Sequence, residues 1–367
     1  MNNEKIQSLL KAFELPVEVV QWRAFGHGHI NDTYLLETPE AVPDLILQRK
    51  NHHIFKNIEG MMNNIVIITN HIRKQLLAKG EQEIDRKVMQ YLSDPANQYY
   101  VRDGEGNYWT IALFIRNSKS IEEVTHPEQA YRAGEAFGHF QSQLASLDGA
   151  LLVATIPNFH NGKFRLLQFR ESIANDVAGR VAEMQPYIDV LMKRADEMTR
   201  LQDWLDRGEI PLRTTHNDTK INNIMFDENN NTLCIIDLDT VMPGSSLFDF
   251  GDAIRTLGNT AAEDEPDTML IHFNRAYYQS FTEGYLSKSK AFLTPLEIDN
   301  LAFGCQYMVW EQTIRFLTDY LNGDTYYKTA YPLHNKTRTL AQFRYLEVLD
   351  QEKEFMQSVV ANSIKKS

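Results

Sequence analysis

Apolar and polar residues alternate through the first third of the chain and recur at helical spacing through the rest, with the change falling near residue 116. Alternation marks strands, because successive side chains of an extended chain point to opposite faces. It predicts strands over 17–25, 33–37 and 45–49, with Gly26-His27-Gly28-His29 joining the first two. Two more are predicted over 99–101 and 108–115, joined through Asp103-Gly104 and Gly106-Asn107, residues that favour hairpin turns. A helix over 57–78 interrupts this run, and residues 1–15 read as an amphipathic helix. Beyond residue 116, helices are predicted over 128–145, 164–177, 186–205, 267–285, 295–321 and 336–358. A strand-like insert, 212–237, lies among them and turns at Asn229-Asn230-Asn231. The pattern is that of an α+β chain with a small sheet-rich lobe, 1–115, and a larger, mainly helical lobe, 116–367.

Composition narrows the partners. Asp and Glu total 49 against 37 Lys and Arg, a net charge of −12, which disfavours phosphodiester backbones and anionic lipid. Cys234 and Cys305 are the two cysteines, both in apolar surroundings; that excludes a disulfide scaffold and a thiolate zinc site and fits a reducing compartment. The first residues lack the long apolar core of a secretion signal, and no run approaches the roughly 20 apolar residues of a membrane-spanning helix. A cytoplasmic protein with neither nucleic-acid nor membrane partners is expected.

The chemistry concentrates in Thr215-His216-Asn217-Asp218-Thr219-Lys220-Ile221-Asn222-Asn223, followed by Ile235-Ile236-Asp237-Leu238-Asp239. A carboxylate, an Asn five residues on, then two short strands ending in Asp is what phosphoryl transfer requires. Asp218 can take or orient a hydroxyl proton, and Asn223 and Asp237 offer hard oxygen donors to the Mg²⁺ of a nucleotide. Any one of these residues alone reads equally well as a turn former. Charges at the end of the Ile-Ile run, however, need a partner to offset their desolvation.

His216-x-Asp218-x-x-x-x-Asn223 with Asp237 resembles the catalytic loop and metal motif of the aminoglycoside phosphotransferase and choline kinase superfamily, which has the bilobal protein-kinase-like fold. The resemblance implies Asp218 as catalytic base, Asn223 and Asp237 as Mg²⁺ ligands, ATP as phosphoryl donor, and Lys220 as a candidate phosphate contact. Gly26-His27-Gly28-His29-Ile30-Asn31-Asp32-Thr33-Tyr34, Ile46-Leu47-Gln48-Arg49, Ile156-Pro157-x-Phe159-His160-Asn161 and Asp237-Leu238-Asp239-Thr240-Val241-Met242-Pro243-Gly244 narrow it. With Phe248-Asp249-Phe250-Gly251-Asp252-Ala253-Ile254-Arg255, these stretches are similar to the N-acetylhexosamine 1-kinases, which phosphorylate the anomeric hydroxyl of GlcNAc and GalNAc.

That likeness implies further nucleotide contacts. Gly26 and Gly28 form a candidate phosphate loop, although a plain hairpin turn also explains them. Arg49 stands where protein kinases carry a phosphate-binding lysine, with Glu59 as the nearest helix acid, and Phe114-Ile115 falls at the hinge between lobes. Asp249 and Asp252 read as helix-capping and Arg255-pairing residues. His52, His53, His71 and His139 lack metal-ligand spacing, and His216 reads as a group that orients the loop.

For the acceptor, Trp310-Glu311-Gln312-Thr313-Ile314-Arg315-Phe316 runs into a polar, aromatic stretch in which Arg315 and Tyr326 are the candidate sugar contacts. Choline, homoserine, methylthioribose or another sugar are alternative acceptors on the same fold. A nucleotide-binding pseudokinase is the non-enzymatic alternative. A protein kinase is disfavoured, because Leu238-Asp239 follows the metal Asp and no Ala-Pro-Glu segment occurs.

Overall fold

The computed structural model describes residues 1–26 and 31–366. Its helices are α1 (Asn3–Ala12), α2 (Ile58–Ala78), α3 (Ile84–Lys87), α4 (Pro127–Leu144), α5 (Gly162–Asn175), α6 (Val181–Lys193) and α7 (Ala195–Asp206). They continue as α8 (Ser246–Leu257), α9 (Arg275–Ser289), α10 (Pro295–Asp299), α11 (Leu301–Leu321), α12 (His334–Gln351) and α13 (Lys353–Lys366). The strands are β1 (Gln21–Ala24), β2 (Asp32–Glu37), β3 (Leu45–Lys50), β4 (Tyr91–Leu92), β5 (Val101–Arg102), β6 (Tyr108–Leu113), β7 (Arg213–Thr215), β8 (Ile224–Phe226), β9 (Thr232–Ile235) and β10 (Met242–Gly244).

β1 to β6 form one antiparallel sheet in the order β1-β2-β3-β6-β4, with β5 also paired to β6. One face of β3 carries Leu45 and Leu47, which pack with Leu36, Trp109 and Ile111 against Ile6, Leu9, Leu10 and Phe13 of α1. Covering this face with an amphipathic helix removes it from water, at about 25 cal/mol per Å² of apolar area buried. The alternation then puts Ile46, Gln48 and Lys50 on the opposite face.

Residues 146–157 and 224–242 belong to the same compact unit as residues 1–120. Buried Asn64 of α2 is one reason: its amide donates to the carbonyls of Val153 (2.8 Å) and Val241 (3.0 Å) and accepts from Val153 N–H (3.0 Å). Lys119 and Phe226 exchange backbone hydrogen bonds of 2.9 Å in both directions, tying in the β8–β9 hairpin.

The second unit, residues 121–145, 158–223 and 243–367, is helical. Four of the predicted helices differ from those observed. The 186–205 prediction divides at Arg194 into α6 and α7, and 295–321 divides at Asn300. The 336–358 prediction divides at Glu352, while 267–285 starts late, at Arg275. Periodicity runs across these breaks because both pieces present their apolar faces to the same core. The 17–25 strand shortens to β1, and β4 is too short for alternation to reveal.

α4 and α9 approach backbone to backbone through glycines. A Cβ on Gly134 would lie 2.1 Å from the Phe281 carbonyl oxygen, and one on Gly284 2.1 Å from that of Tyr131. Gly134→Val is therefore expected to push the two helices apart at a cost of at least ~3 kcal/mol, by overpacking a contact that cannot yield locally. Urea denaturation of the variant against wild type measures it.

Candidate active site

The loop after β7 carries Asp218, and a buried carboxylate from α8 holds it. Asp249 accepts the backbone N–H groups of His216 (2.9 Å) and Asn217 (2.8 Å), and the Gln141 amide of α4 (2.6 Å). Tyr285 of α9 donates to the same Gln141 (2.6 Å), so the glycine-mediated helix pair aligns the donor that steadies Asp249. One turn further along α8, Asp252 accepts Thr219 N–H (3.0 Å), while Thr219 Oγ1 donates to the Asp249 carbonyl (2.6 Å). Burial raises the Asp249 carboxyl above its usual range, and the two loop N–H groups and His216 work against that shift. Asn217 takes a left-handed conformation, φ 63°, which lets the chain reverse between these anchors.

Asp218 and Asn223 meet across the loop. Asn223 Nδ2 donates to the Asp218 carbonyl (2.9 Å) and lies 3.4 Å from its Oδ2. With the amide nitrogen so engaged, Oδ1 is the side chain's remaining polar atom, a hard oxygen donor by chemical type. Lys220 Nζ sits 3.0 Å from Asp218 Oδ1. Burial raises the Asp218 carboxyl, but Lys220, His216 and buried Arg255 more than offset it, leaving the group below the ordinary Asp value and ionised at neutral pH. Arg255 is itself held by Asp252 (2.9 Å) and Glu263.

The sheet unit carries the other candidates. Asp237, two residues past the end of β9, takes a left-handed conformation, φ 56°, and is exposed. Two residues on, Asp239 is buried: its Oδ1 accepts from Lys50 Nζ (2.6 Å) and its Oδ2 from Asn31 Nδ2 (2.7 Å). Asn31 in turn accepts Asn51 N–H (2.9 Å), and Lys50 also donates to Gln48. The lysine and its carboxylate are only 1 % and 3 % exposed, so each needs the other to remain charged.

Arg49 lies on the opposite parity of β3. It is 44 % exposed, pairs with Asp32, and lines an open pocket at the strand ends with Asn51, His52 and His53. Glu59 is exposed in the first turn of α2, and the carboxylate that meets the buried lysine is Asp239. The alternation of β3 puts Arg49 on the parity of Leu45 and Leu47 and Lys50 on the other, yet Arg49 is exposed and Lys50 buried, so the pattern breaks at the strand end and Asp239 decides which base is enclosed. Asn31 and Asp239 lay inside the motifs, without a side-chain pattern to indicate that they meet.

Gly26 is left-handed, φ 77°, with open space where a Cβ would stand; Gly28 and its neighbours 27–30 lie outside the described residues. Phe114 packs edge-on to Phe25 at 5.5 Å, and Ile115 is buried beyond the end of β6.

On α11, Glu311 is fully buried and faces Arg315 Nη1 (3.4 Å), Arg165 Nε (3.4 Å) and His160 Nδ1 (3.6 Å). Burial raises the Glu311 carboxyl, and Arg315, His160 and Arg165 together bring it down to about 2. His160 Nε2 donates to the Asn217 carbonyl (3.2 Å), so a single imidazole joins the Asp218 loop to this charge cluster. Arg315 lies 5.2 Å from the Phe159 ring and 5.8 Å from that of Tyr327. Tyr326 is 63 % exposed beside Tyr327. Neither His160, Glu311 nor Arg165 had a metal or catalytic spacing to single it out.

The chain matches the model of the phosphotransferase enzyme family over residues 21–285 and belongs to that family. Among solved structures it is similar to an aminoglycoside phosphotransferase from Alicyclobacillus acidocaldarius, at 11 % identity and a TM-score of 0.58 over 98 % of this chain and 96 % of that one. A spectinomycin phosphotransferase in complex with ADP and spectinomycin matches at 12 % identity and 0.58, over 96 % and 99 %. An ethanolamine kinase from Plasmodium vivax matches at 14 % and 0.55, over 93 % and 84 %. These likenesses establish the kinase-like fold, with its antiparallel-sheet unit and helical unit. Among the described residues no helix is long and apolar enough to cross a membrane, and both cysteines are buried, free thiols.

Two outcomes follow from the charges. Lys50→Met leaves Asp239 buried without its cation and is expected to cost about 3–5 kcal/mol, whereas Arg49→Ala costs under ~1 kcal/mol in thermal melts. Lys220→Met removes a cation that keeps Asp218 ionised. Because a depressed carboxyl loses its base form only as pH falls through its lowered pKa, the acidic limb of the kcat/KM profile should move up by roughly one unit or more.

Proposed function

We propose that this phosphotransferase moves the γ-phosphoryl group of ATP to a hydroxyl of a small, uncharged acceptor, specifically the anomeric hydroxyl of an N-acetylhexosamine. Asp218 is the proposed catalytic base. Its ionisation at neutral pH suits it to accept or orient the acceptor proton, and Asn223 holds it in place. Asn223 and Asp237 are the proposed Mg²⁺ ligands, an amide oxygen and a carboxylate of the hard donor type this ion takes. Mg²⁺, when bound, would neutralise charge on the nucleotide phosphates. Lys50 is the proposed phosphate-side cation of the sheet unit, with Gly26 and Gly28 in the phosphate loop and Phe114 and Ile115 beside the base. Lys220 remains a proposed phosphate contact, at 45 % exposure beside Asp218.

The observation that carries the acceptor class is the charge balance on α11. Two guanidiniums, Arg165 and Arg315, face one carboxylate, Glu311, and His160 joins them to the Asp218 loop. A cationic acceptor placed about 5 Å from an uncompensated guanidinium would meet a repulsion of about 3 kcal/mol at an effective dielectric of ~20. The neighbouring acids have their oxygens already engaged: Glu311 by arginines, Asp324 by Arg180 (2.7 Å), and Asp319 by the backbone N–H groups of 325–327 and the Asn335 amide, which leaves none of them an open oxygen for an ammonium. Choline, ethanolamine and aminoglycosides need just such acids around an ammonium. A neutral sugar gains from this balance, because its hydroxyl and amide oxygens accept from Arg315 while Tyr326 offers a stacking wall. The sequence resemblance to the N-acetylhexosamine 1-kinases supports the same acceptor.

ADP release from Mg-ATP against GlcNAc, GalNAc, galactose, glucose, choline and homoserine tests the proposal. Turnover is expected with the N-acetylhexosamines, giving an acid-labile 1-phosphate, and Asp218→Asn should lose about 10²–10⁴-fold in kcat. Turnover confined to choline would overturn the acceptor class and keep the phosphotransfer; near-wild-type turnover by Asp218→Asn would overturn the base.

A further inference from the structure

We propose that Asp319 is a positioning residue that fixes the acceptor-recognition loop, residues 323–327, and thereby sets acceptor affinity without taking part in nucleotide binding or phosphoryl transfer. This rests on the reading above that Arg315 and Tyr326 face the acceptor.

The carboxylate of Asp319 is 3 % exposed and accepts four donors. Oδ1 takes the backbone N–H groups of Thr325 (2.8 Å) and Tyr326 (2.7 Å); Oδ2 takes that of Tyr327 (2.9 Å) and the side chain of Asn335 (2.7 Å). Four donors match the four lone-pair sites of an ionised carboxylate. The chain reaches this arrangement by reversing at the end of α11, where Gly323 (φ 86°) and Asp324 (φ 62°) are both left-handed and Asp324 N–H returns to the Asp319 carbonyl (2.8 Å). Asn335 also donates to Asp324 Oδ1 (2.9 Å), while Arg180 donates to Asp324 Oδ2 and to the Tyr320 carbonyl, both at 2.7 Å.

The loop is thus held by its backbone, and the Tyr326 side chain is left exposed. Tyr327 lies on Phe316 with ring centres 4.8 Å apart and accepts from Gln312 Nε2 (3.2 Å); Tyr326 stands edge-on to it, 63 % exposed. An aromatic side chain that is exposed on an immobilised backbone has little of its own packing to explain the rigidity. The rigidity is explained if a ligand pays less ordering entropy when it stacks there. Asp319 and Arg315 are one helical turn apart on α11, so the same helix fixes both the guanidinium and the loop that faces it.

In Asp319→Asn one acceptor oxygen becomes an NH₂ group that confronts loop N–H donors. The expected result is a rise of about tenfold in the KM for GlcNAc, the loss of roughly one well-placed contact, with kcat and the KM for ATP unchanged. Hydrogen exchange at the amides of 325–327 should quicken while that of the α11 interior does not. Tyr326→Ala, at a site too exposed to unfold the chain, should raise the same KM. Should GlcNAc not turn over in wild type, the acceptor that does in the panel above replaces it, so that failure of the hexosamine reading is separated from failure of this one. Unchanged exchange at 325–327 in Asp319→Asn overturns the clamp with or without activity. An unchanged acceptor KM in Tyr326→Ala, or an equal rise for acceptor and ATP in Asp319→Asn, overturns its role in recognition.

Discussion

The loop that carries Asp218 has little regular secondary structure to hold it, and the buried carboxylate of Asp249 supplies the fixed point. A carboxylate taken out of water costs several kcal/mol unless donors replace its hydration. Here the donors are the backbone N–H groups of His216 and Asn217 and the amide of Gln141. The loop satisfies the acid and the acid shapes the loop, so neither can relax alone. Behind them, the close approach of α4 and α9 at Gly134, Gly138 and Gly284 sets where Gln141 and Tyr285 stand. Backbone packing of two helices is thereby converted into the geometry of the Asp218 loop.

The same device recurs with different partners. Asp239 is a buried carboxylate between Lys50 and Asn31, and it gathers β3, the end of the glycine-containing stretch and the segment after Asp237. Asp319 gathers a loop through three N–H groups. Glu311 binds two arginines and faces the histidine that reaches back to Asn217. In each case a buried acidic side chain fixes the positions of donors that apolar packing cannot orient, because apolar contacts are not directional and hydrogen bonds are.

The fold class and the Asp218, Asn223 and Asp237 spacing were legible in the sequence because each depends on local order: alternation for the sheet, helical period for the second unit, and a five-residue interval whose members meet within one loop. Arg49 and Lys50 show the limit of that legibility. Both are basic and adjacent, and parity alone would put Arg49 with Leu45 and Leu47 on the face covered by α1; only the tertiary partners separate an exposed arginine paired with Asp32 from a buried lysine paired with Asp239. The helix breaks at Arg194, Asn300 and Glu352 were hidden for a related reason, since apolar periodicity continues through a kink when both pieces face one core.

By itself the sequence determined that this chain forms an antiparallel sheet followed by helices, and it marked the residues proposed for phosphoryl transfer, since hydrophobic period and residue type are properties of the chain. Tertiary structure decided which acid meets which base. Lys50 and Asp239 are 189 positions apart, Arg165 and Glu311 lie on different helices, and His160 is joined to Asn217 across intervening elements. Charges so far apart in sequence leave no periodic trace, because their pairing depends on how the elements carrying them pack. Only when that packing removes water do these pairings become strong enough to set ionisation and loop shape.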